Sequence, residues 1–253
     1  MESLVTTKEL IDVLTQTFSL YIKEDIVDKH PAVFIKGVPG VGKSQAILKI
    51  KNNLKTITNK EIVLKDVRLL LYSPLDLNGI PVPDKEKKKA IWLTPELFSF
   101  ENEDAINILF LDELTSAPEQ IQAAAYQIAL DKKLGDHKLP KNTFVVAAGN
   151  TNDDYSVTNE MPTALKNRFI HFKIKEDVDS WLSWALENKI HNYIIEFIKK
   201  NPDKLITKDF NTDSNIIVTP RSYEILSNML NILKGDIKEH ETIIKSVLGE
   251  SLT

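Results

Sequence analysis

The segment Gly37-Val38-Pro39-Gly40-Val41-Gly42-Lys43-Ser44 decides the fold, because it meets the pattern GxxxxGK[ST] at every specified position. Ala32-Val33-Phe34-Ile35 before it is a short β-prone run, and Gln45-Ala46-Ile47-Leu48-Lys49-Ile50 after it reads as a helix. The order is therefore strand, glycine turn, helix. Gly37, Gly40 and Gly42 let the backbone curl into a nest whose N–H groups converge on an anion, and the helix opening at Lys43 adds its positive dipole end. In such a loop Lys43 reaches the β and γ phosphates as a point charge, while the Ser44 hydroxyl ligates Mg²⁺. The contact segment is expected to run from Gly37 through Val38, Pro39, Gly40, Val41 and Gly42 to Lys43, Ser44 and Gln45.

Two further strands deliver polar residues that match this loop. Ile106-Asn107-Ile108-Leu109-Phe110-Leu111 is a near-continuous apolar run, as expected of a central parallel strand, and it ends in Asp112-Glu113. Two carboxylates at the tip of a buried strand are costly unless they serve a cation or a reacting water. With the phosphate loop upstream they form a Walker B pattern. Asp112 is expected to hold the Mg²⁺ shell, and Glu113 to polarise the water that attacks the γ-phosphate. Thr143 to Ala148 is another apolar strand, and it delivers Gly149-Asn150 to the same sheet edge, where open parallel sheets bind ligands. Asn150 either hydrogen-bonds the water or the γ-phosphate, or makes a turn. Arg168, just before a strand at Phe169 to Ile174, reads by itself as a surface salt-bridge residue. Thr219-Pro220 opens a helix with Arg221 in its first turn, where a cation opposes the macrodipole and hints at an anionic partner.

Elsewhere the chain alternates between helix and strand. Thr6 to Tyr21 sets Leu10, Ile11, Leu14, Phe18 and Tyr21 on one helical face, capped by Thr6 or Thr7. Glu61 to Leu64 and Val67 to Leu71 are strand-like. Ile62 stands where a guanine-specifying NKxD would need aspartate, so GTP loses its usual signature. Ser73 to Phe98, with five prolines and glycines and the cluster Lys85, Lys87, Lys88 and Lys89, predicts a long surface loop, either a solvated insert or a partner-facing one. Pro118 to Leu130 is a helix, Lys133 to Leu139 a small hairpin around Gly135-Asp136, and Pro162 to Lys166 a helical turn. From Asp177 onward the pattern is helical: Val178 to Asn188, Ile190 to Lys200, Arg221 to Leu233 and Lys238 to Leu248. Trp181, Leu182, Trp184 and Ala185 form an apolar stripe that belongs to a core.

Composition narrows the class. Of 253 residues 42% are hydrophobic and 27% charged, with no run near the roughly 20 apolar residues of a membrane span. There is no cysteine, and the start MESLVTTKEL lacks a secretion signal, so a cytoplasmic location is expected. The net charge of −4 argues against nucleic acid as a partner. The five histidines have no metal-ligand spacing.

With the phosphate loop, LFLDE, AAGN, LKNRF and TPRS in that order, the chain resembles the AAA+ ATPases, and more narrowly the MoxR-like group. The narrower resemblance rests on DLNGIPVPD (76–84), LDELTSAPEQIQAAAYQIALDKKLGDHKLP (111–140) and AAGNTNDDYSVTNEMPTALKNRF (147–169). It implies an α/β fold, a P-loop αβα sandwich with a central parallel sheet over residues 1–175 and a small helical lid domain over residues 176–253. ATP and Mg²⁺ are the implied cofactors. Lys43 and Ser44 match Walker A, Asp112 and Glu113 Walker B, Asn150 sensor 1, Arg168 the arginine finger offered to a neighbouring subunit, and Arg221 the sensor 2 arginine. The resemblance also implies a homo-oligomeric ring, usually a hexamer, that remodels a protein client, often with a von Willebrand factor A domain partner. The chain stops at Thr253, soon after the sensor 2 helix, which implies a minimal lid. Substrate choice is then expected in the Ser73 to Phe98 insert, the 131–140 hairpin or a separate protein. A DNA-acting AAA+ motor and a nucleotide-binding scaffold with little turnover are the competing readings.

Overall fold

A strand with no charge along its length can be buried on both faces, and Thr143–Gly149 is buried at every position. Ile106–Asp112 is buried up to its terminal aspartate, and Ala32–Lys36 up to its terminal lysine. These three strands form the middle of the sheet.

The computed structural model describes residues 3–86, 89–100, 102, 104–151, 161–162, 166–206, 217–233 and 237–249. In chain order the elements are β1 (Ser3–Val5), α1 (Thr7–Lys23), β2 (Ala32–Lys36), α2 (Lys43–Thr58), β3 (Ile62–Arg68), α3 (Pro74–Asn78), β4 (Pro81–Asp84), β5 (Lys89–Trp92), β6 (Ile106–Asp112), α4 (Glu119–Asp131), β7 (Lys133–Leu134), β8 (His137–Lys138), β9 (Thr143–Gly149) and β10 (Phe169–Ile174). There follow α5 (Val178–Glu187), α6 (Asn192–Lys200), α7 (Pro220–Ile232) and α8 (Glu241–Leu248). Among the described residues no helix is long and apolar enough to cross a membrane.

The main sheet has the order β1-β10-β2-β9-β6-β3, parallel throughout. β2 lies between β9 and β10, with the preceding strand β1 at one edge of the sheet and the following strand β3 at the other, and the loop after β2 lies at the carboxyl ends of the strands, where such sheets bind ligands. Helices cover the faces. Thr6 caps α1 through a capping box with Glu9, and the helix buries Leu10, Leu14, Phe18 and Ile22, with Phe18 stacked on Phe144 of β9 at 4.0 Å. Leu109, Leu111, Val145, Ala147 and Phe34 pack with Ile121, Ala125 and Ile128 of α4 in one buried cluster.

Two expectations need correction. Leu69–Leu71 is a 3-10 turn rather than strand. Arg68 pairs with Asp112, the last residue of β6, so β3 has no neighbour beyond it, and Leu69 folds inward to 0% exposure while Leu71 remains 76% exposed. The Ser73 to Phe98 stretch is not an irregular surface loop. It carries α3, the antiparallel β4–β5 hairpin and a 3-10 turn, and it buries Leu77, Leu97 and Phe98 in the α4-side cluster. Lys65 fastens its far end by donating to the Glu96 and Ser99 carbonyls at 2.5 and 2.7 Å. Lys87 and Lys88 lie outside the described residues, as do residues 163–165 of the Pro162 to Lys166 turn.

The chain divides into two compact units, Met1–Val38 with Lys43–Ile174, and Pro39–Gly42 with Lys175–Thr253. The second unit is helical. Trp181, Ala185, Ile194, Ile198, Tyr223, Leu226 and Leu230 are buried in it, and the Tyr223 hydroxyl donates to the Lys204 carbonyl at 2.6 Å. Leu182 and Trp184 are only half-buried.

Candidate functional site

Parallel strands end together, and three of these ends carry the polar residues singled out above. β2 runs into Gly37, β6 ends at Asp112 and β9 ends at Gly149, with Lys36 paired to Gly149. The Gly37 amide donates to the Gly149 carbonyl at 3.3 Å. Lys43, the first residue of α2, is 9% exposed, and its ammonium donates to the carbonyls of Gly37 (2.6 Å) and Val38 (3.1 Å) and to Asn150 Oδ1 (3.0 Å). The Ser44 hydroxyl donates to Asp112 Oδ2 at 3.0 Å, and the other carboxylate oxygen accepts the Glu113 amide at 2.9 Å. Lys43, Ser44, Asp112 and Asn150 are thus brought together by hydrogen bonds, with Glu113 next in the chain.

The loop tip is conformationally particular. Gly40 and Gly42 have φ of +76° and +95°, which most side chains resist. A Cβ added at Gly40 would stand 2.8 Å from Thr219 Oγ1 and 3.6 Å from Arg221 Cβ, within the second unit. Arg221 occupies the first turn of α7, where Thr219 N donates to Ser222 Oγ at 3.2 Å.

Glu113 has φ +62° and ψ +29°, a left-handed conformation rare for a residue with a side chain and a strain often met at reactive positions. The 3-10 turn Leu114–Ser116 follows it, closed by a bond from the Ser116 amide to the Glu113 carbonyl. Negative charge accumulates here. Burial, and then the charge of Asp112, hold the Asp66 carboxyl above its usual range, with Glu113 adding to the rise and Arg68 opposing it.

Two polar residues behind this edge escaped the sequence reading. Thr115, 5% exposed, accepts the Asn150 amide on its Oγ1 at 3.0 Å, and Gln122 of α4, 3% exposed, donates to the carbonyls of Thr115 (3.3 Å) and Ala117 (2.9 Å). Nothing in the sequence singles them out; the close approach of Thr115 shows only in the fold, where a Cβ on Gly149 would meet its Cγ2 at 2.6 Å and its Oγ1 at 2.7 Å.

Arg168 lies elsewhere. It precedes β10, whose first residue pairs with Ala32, so it stands at the amino ends of the strands, about 15 Å of strand away from the glycine loop. There it lines an open cleft of about 980 Å³ with Lys29, Lys132, Lys138 and Lys141. Lys132, at φ +52°, donates to the Val27 and Thr143 carbonyls at 3.0 and 2.8 Å. Burial brings its pKa down to about 8, against the pull of Asp28.

A family model, the viral superfamily 1 RNA helicase core domain, matches residues 33–138. No curated protein matches the sequence. Among solved structures, a RuvB mutant from Thermotoga maritima is similar at TM-score 0.53 and 16% identity, covering 97% of this chain and 73% of that one. PCH-2 from C. elegans is similar at TM-score 0.51 and 12% identity, with 96% and 69% covered. The parallel sheet with flanking helices is an α/β, P-loop-like fold shared with these two structures.

Proposed function

We propose that the protein is an Mg²⁺-dependent ATPase of the MoxR-like AAA+ kind, which couples hydrolysis to remodelling or assembly of a protein partner. The observation that carries this reading is the hydrogen-bonded set Lys43–Asn150 and Ser44–Asp112, which joins three strand ends at the carboxyl edge of the sheet. In this role the loop amides and Lys43 bind phosphate oxygens, which are stronger acceptors for an ammonium than the neutral carbonyls it now holds. Ser44 and Asp112 would hold Mg²⁺. Their two oxygens, 3.0 Å apart, are hard donors suited to that ion. Bound there, Mg²⁺ would supply charge neutralisation on the β and γ phosphates.

Glu113 acts as the base toward the attacking water, and Asn150 orients the water or the γ-phosphate. Arg168, at the opposite edge from its own loop, is proposed to act on the site of a neighbouring subunit, and Arg221 on the nucleotide of its own chain. A ring, usually six-membered, a helical lid over residues 176–253, and a von Willebrand factor A domain partner complete the proposal. Purified protein with Mg²⁺-ATP should release phosphate, and Lys43→Ala should release none; equal release by both proteins would remove the site from consideration.

A second reading, a motor acting on nucleic acid, is favoured by the helicase-core match over residues 33–138. It requires turnover stimulated by DNA or RNA with a steep salt dependence, whereas the leading reading expects none.

A further inference from the structure

Thr115 has no part in the binding or chemistry proposed above, yet its side chain is almost wholly buried between two elements that do. Its hydroxyl accepts the backbone N–H of Asn150 at 3.0 Å, and its carbonyl accepts Gln122 Nε2 at 3.3 Å. Gln122 in turn reaches Ala117, so both sides of Thr115 are held. Upstream, Thr115 lies two residues after Glu113, inside the turn that begins at that strained residue. Downstream, Asn150 meets Lys43 through its side chain. One hydroxyl therefore ties the turn after Asp112-Glu113 to the end of β9.

The packing makes this tie short and specific. Gly149 lies so close that a Cβ on it would reach Thr115 Oγ1 at 2.7 Å and Cγ2 at 2.6 Å. The Asn150 N–H follows the last residue of β9, beyond the end of its paired strand residues, and Thr115 supplies the acceptor that a neighbouring strand would otherwise provide.

We propose that Thr115 is a positioning residue that fixes Asn150 relative to Glu113, so that the orienting amide and the base act on the same water. This rests on the ATPase reading above. In this role Thr115 works through Asn150, whose N–H it accepts.

Thr115→Val keeps shape and removes the acceptor, while Thr115→Ser keeps the acceptor and removes a methyl. The expected result for Thr115→Val is a kcat lower by about 10- to 100-fold, the order of loss that small misplacements of a catalytic group produce, with KM and the affinity for a non-hydrolysable ATP analogue within about threefold of wild type. Thr115→Ser should stay within about threefold of wild type throughout. In the Asn150→Ala background, Thr115→Val should cost little more, because the residue it positions is gone. The inference is overturned by full kcat in Thr115→Val, by a Thr115→Ser as slow as Thr115→Val, by parallel loss of analogue binding, or by effects of Thr115→Val and Asn150→Ala that multiply. A Thr115→Val protein that fails to fold is replaced by Gly149→Ala, which retains the hydroxyl but displaces it, with the same split between kcat and KM expected. A wild-type protein that binds no nucleotide sinks the ATPase reading and this one together; wild-type turnover with an unchanged Thr115→Val sinks this one alone.

Discussion

Lys43 and Glu113 act on different species in the proposed reaction, and their variants separate accordingly. Lys43 contacts phosphate in the ground state, so Lys43→Ala should lose nucleotide binding. Glu113 acts on water in the transition state, so Glu113→Gln should bind normally and turn over about 10² to 10⁴ times more slowly. Titration with a fluorescent nucleotide and phosphate release measure the two, and equal losses of affinity would count against this division. His30 makes a different residue-scale prediction. It is 3% exposed and ringed by Phe18, Tyr21 and Phe144 at 4.7 to 5.3 Å, and burial lowers its pKa to about 4. Below pH 6.5 the unfolded chain takes up a proton that the folded chain refuses, so stability falls as pH drops toward 4 and this contribution then levels off. Between pH 7 and 5 the loss from this one group is about 2 kcal/mol. Urea unfolding of wild type and His30→Leu at both pH values should show that much less pH dependence in the variant; parallel curves would refute the assignment.

At the scale of elements, the Ser73 to Phe98 insert joins buried anchors to an exposed hairpin. Leu77, Leu97 and Phe98 belong to the core, whereas β5 is exposed along its whole length. Replacing residues 84–90 with a short neutral loop should therefore leave basal ATPase within about twofold and unfolding temperature nearly unchanged, because no anchor is removed. Capture of a client, in the proposed role, should weaken. A collapse of basal turnover in a folded variant would tie the hairpin to catalysis instead. The same insert shows where sequence stops being legible. Gly37 to Ser44 and the apolar runs ending in Asp112 and Gly149 announce themselves through residue type and uninterrupted hydrophobicity, which one strand's burial dictates locally. Leu77 and Leu97 are spaced by twenty residues with no period, and what makes them core is a surface built by β6, β9 and α4. Thr115 is invisible for the same reason: a hydroxyl in a turn acquires meaning only from the amide that the end of β9 brings to it.

For the molecule as a whole, Arg168 at the amino ends of the strands and the glycine loop at the carboxyl ends face opposite ways, so a subunit cannot use its own Arg168 on its own loop without crossing the sheet. In the proposed ring, head-to-tail assembly would resolve this, since one edge would then meet the other edge of the next copy. Mixed rings of Arg168→Ala and Glu113→Gln subunits, each inactive alone, should regain activity at about a quarter of their interfaces, the fraction pairing an intact Glu113 with a neighbour's intact Arg168. Arg221→Ala mixed with Glu113→Gln should regain little. Verified mixed assemblies with the opposite pattern would exchange the two arginines' roles. The strand order carries one more consequence, for the growing polypeptide at the ribosome. β2 is made within the first 36 residues, but its neighbours are β9 and β10, ending at Gly149 and Ile174, and β1 waits for β10 as well. Among the described strands of the main sheet, only β3 and β6 can pair before then. For most of the first unit's synthesis Val33 and Ile35 thus have no sheet to enter, and arrested chains truncated before residue 143 should be protease-sensitive at β2, while those extended far enough past residue 174 for β10 to emerge from the ribosome should resist.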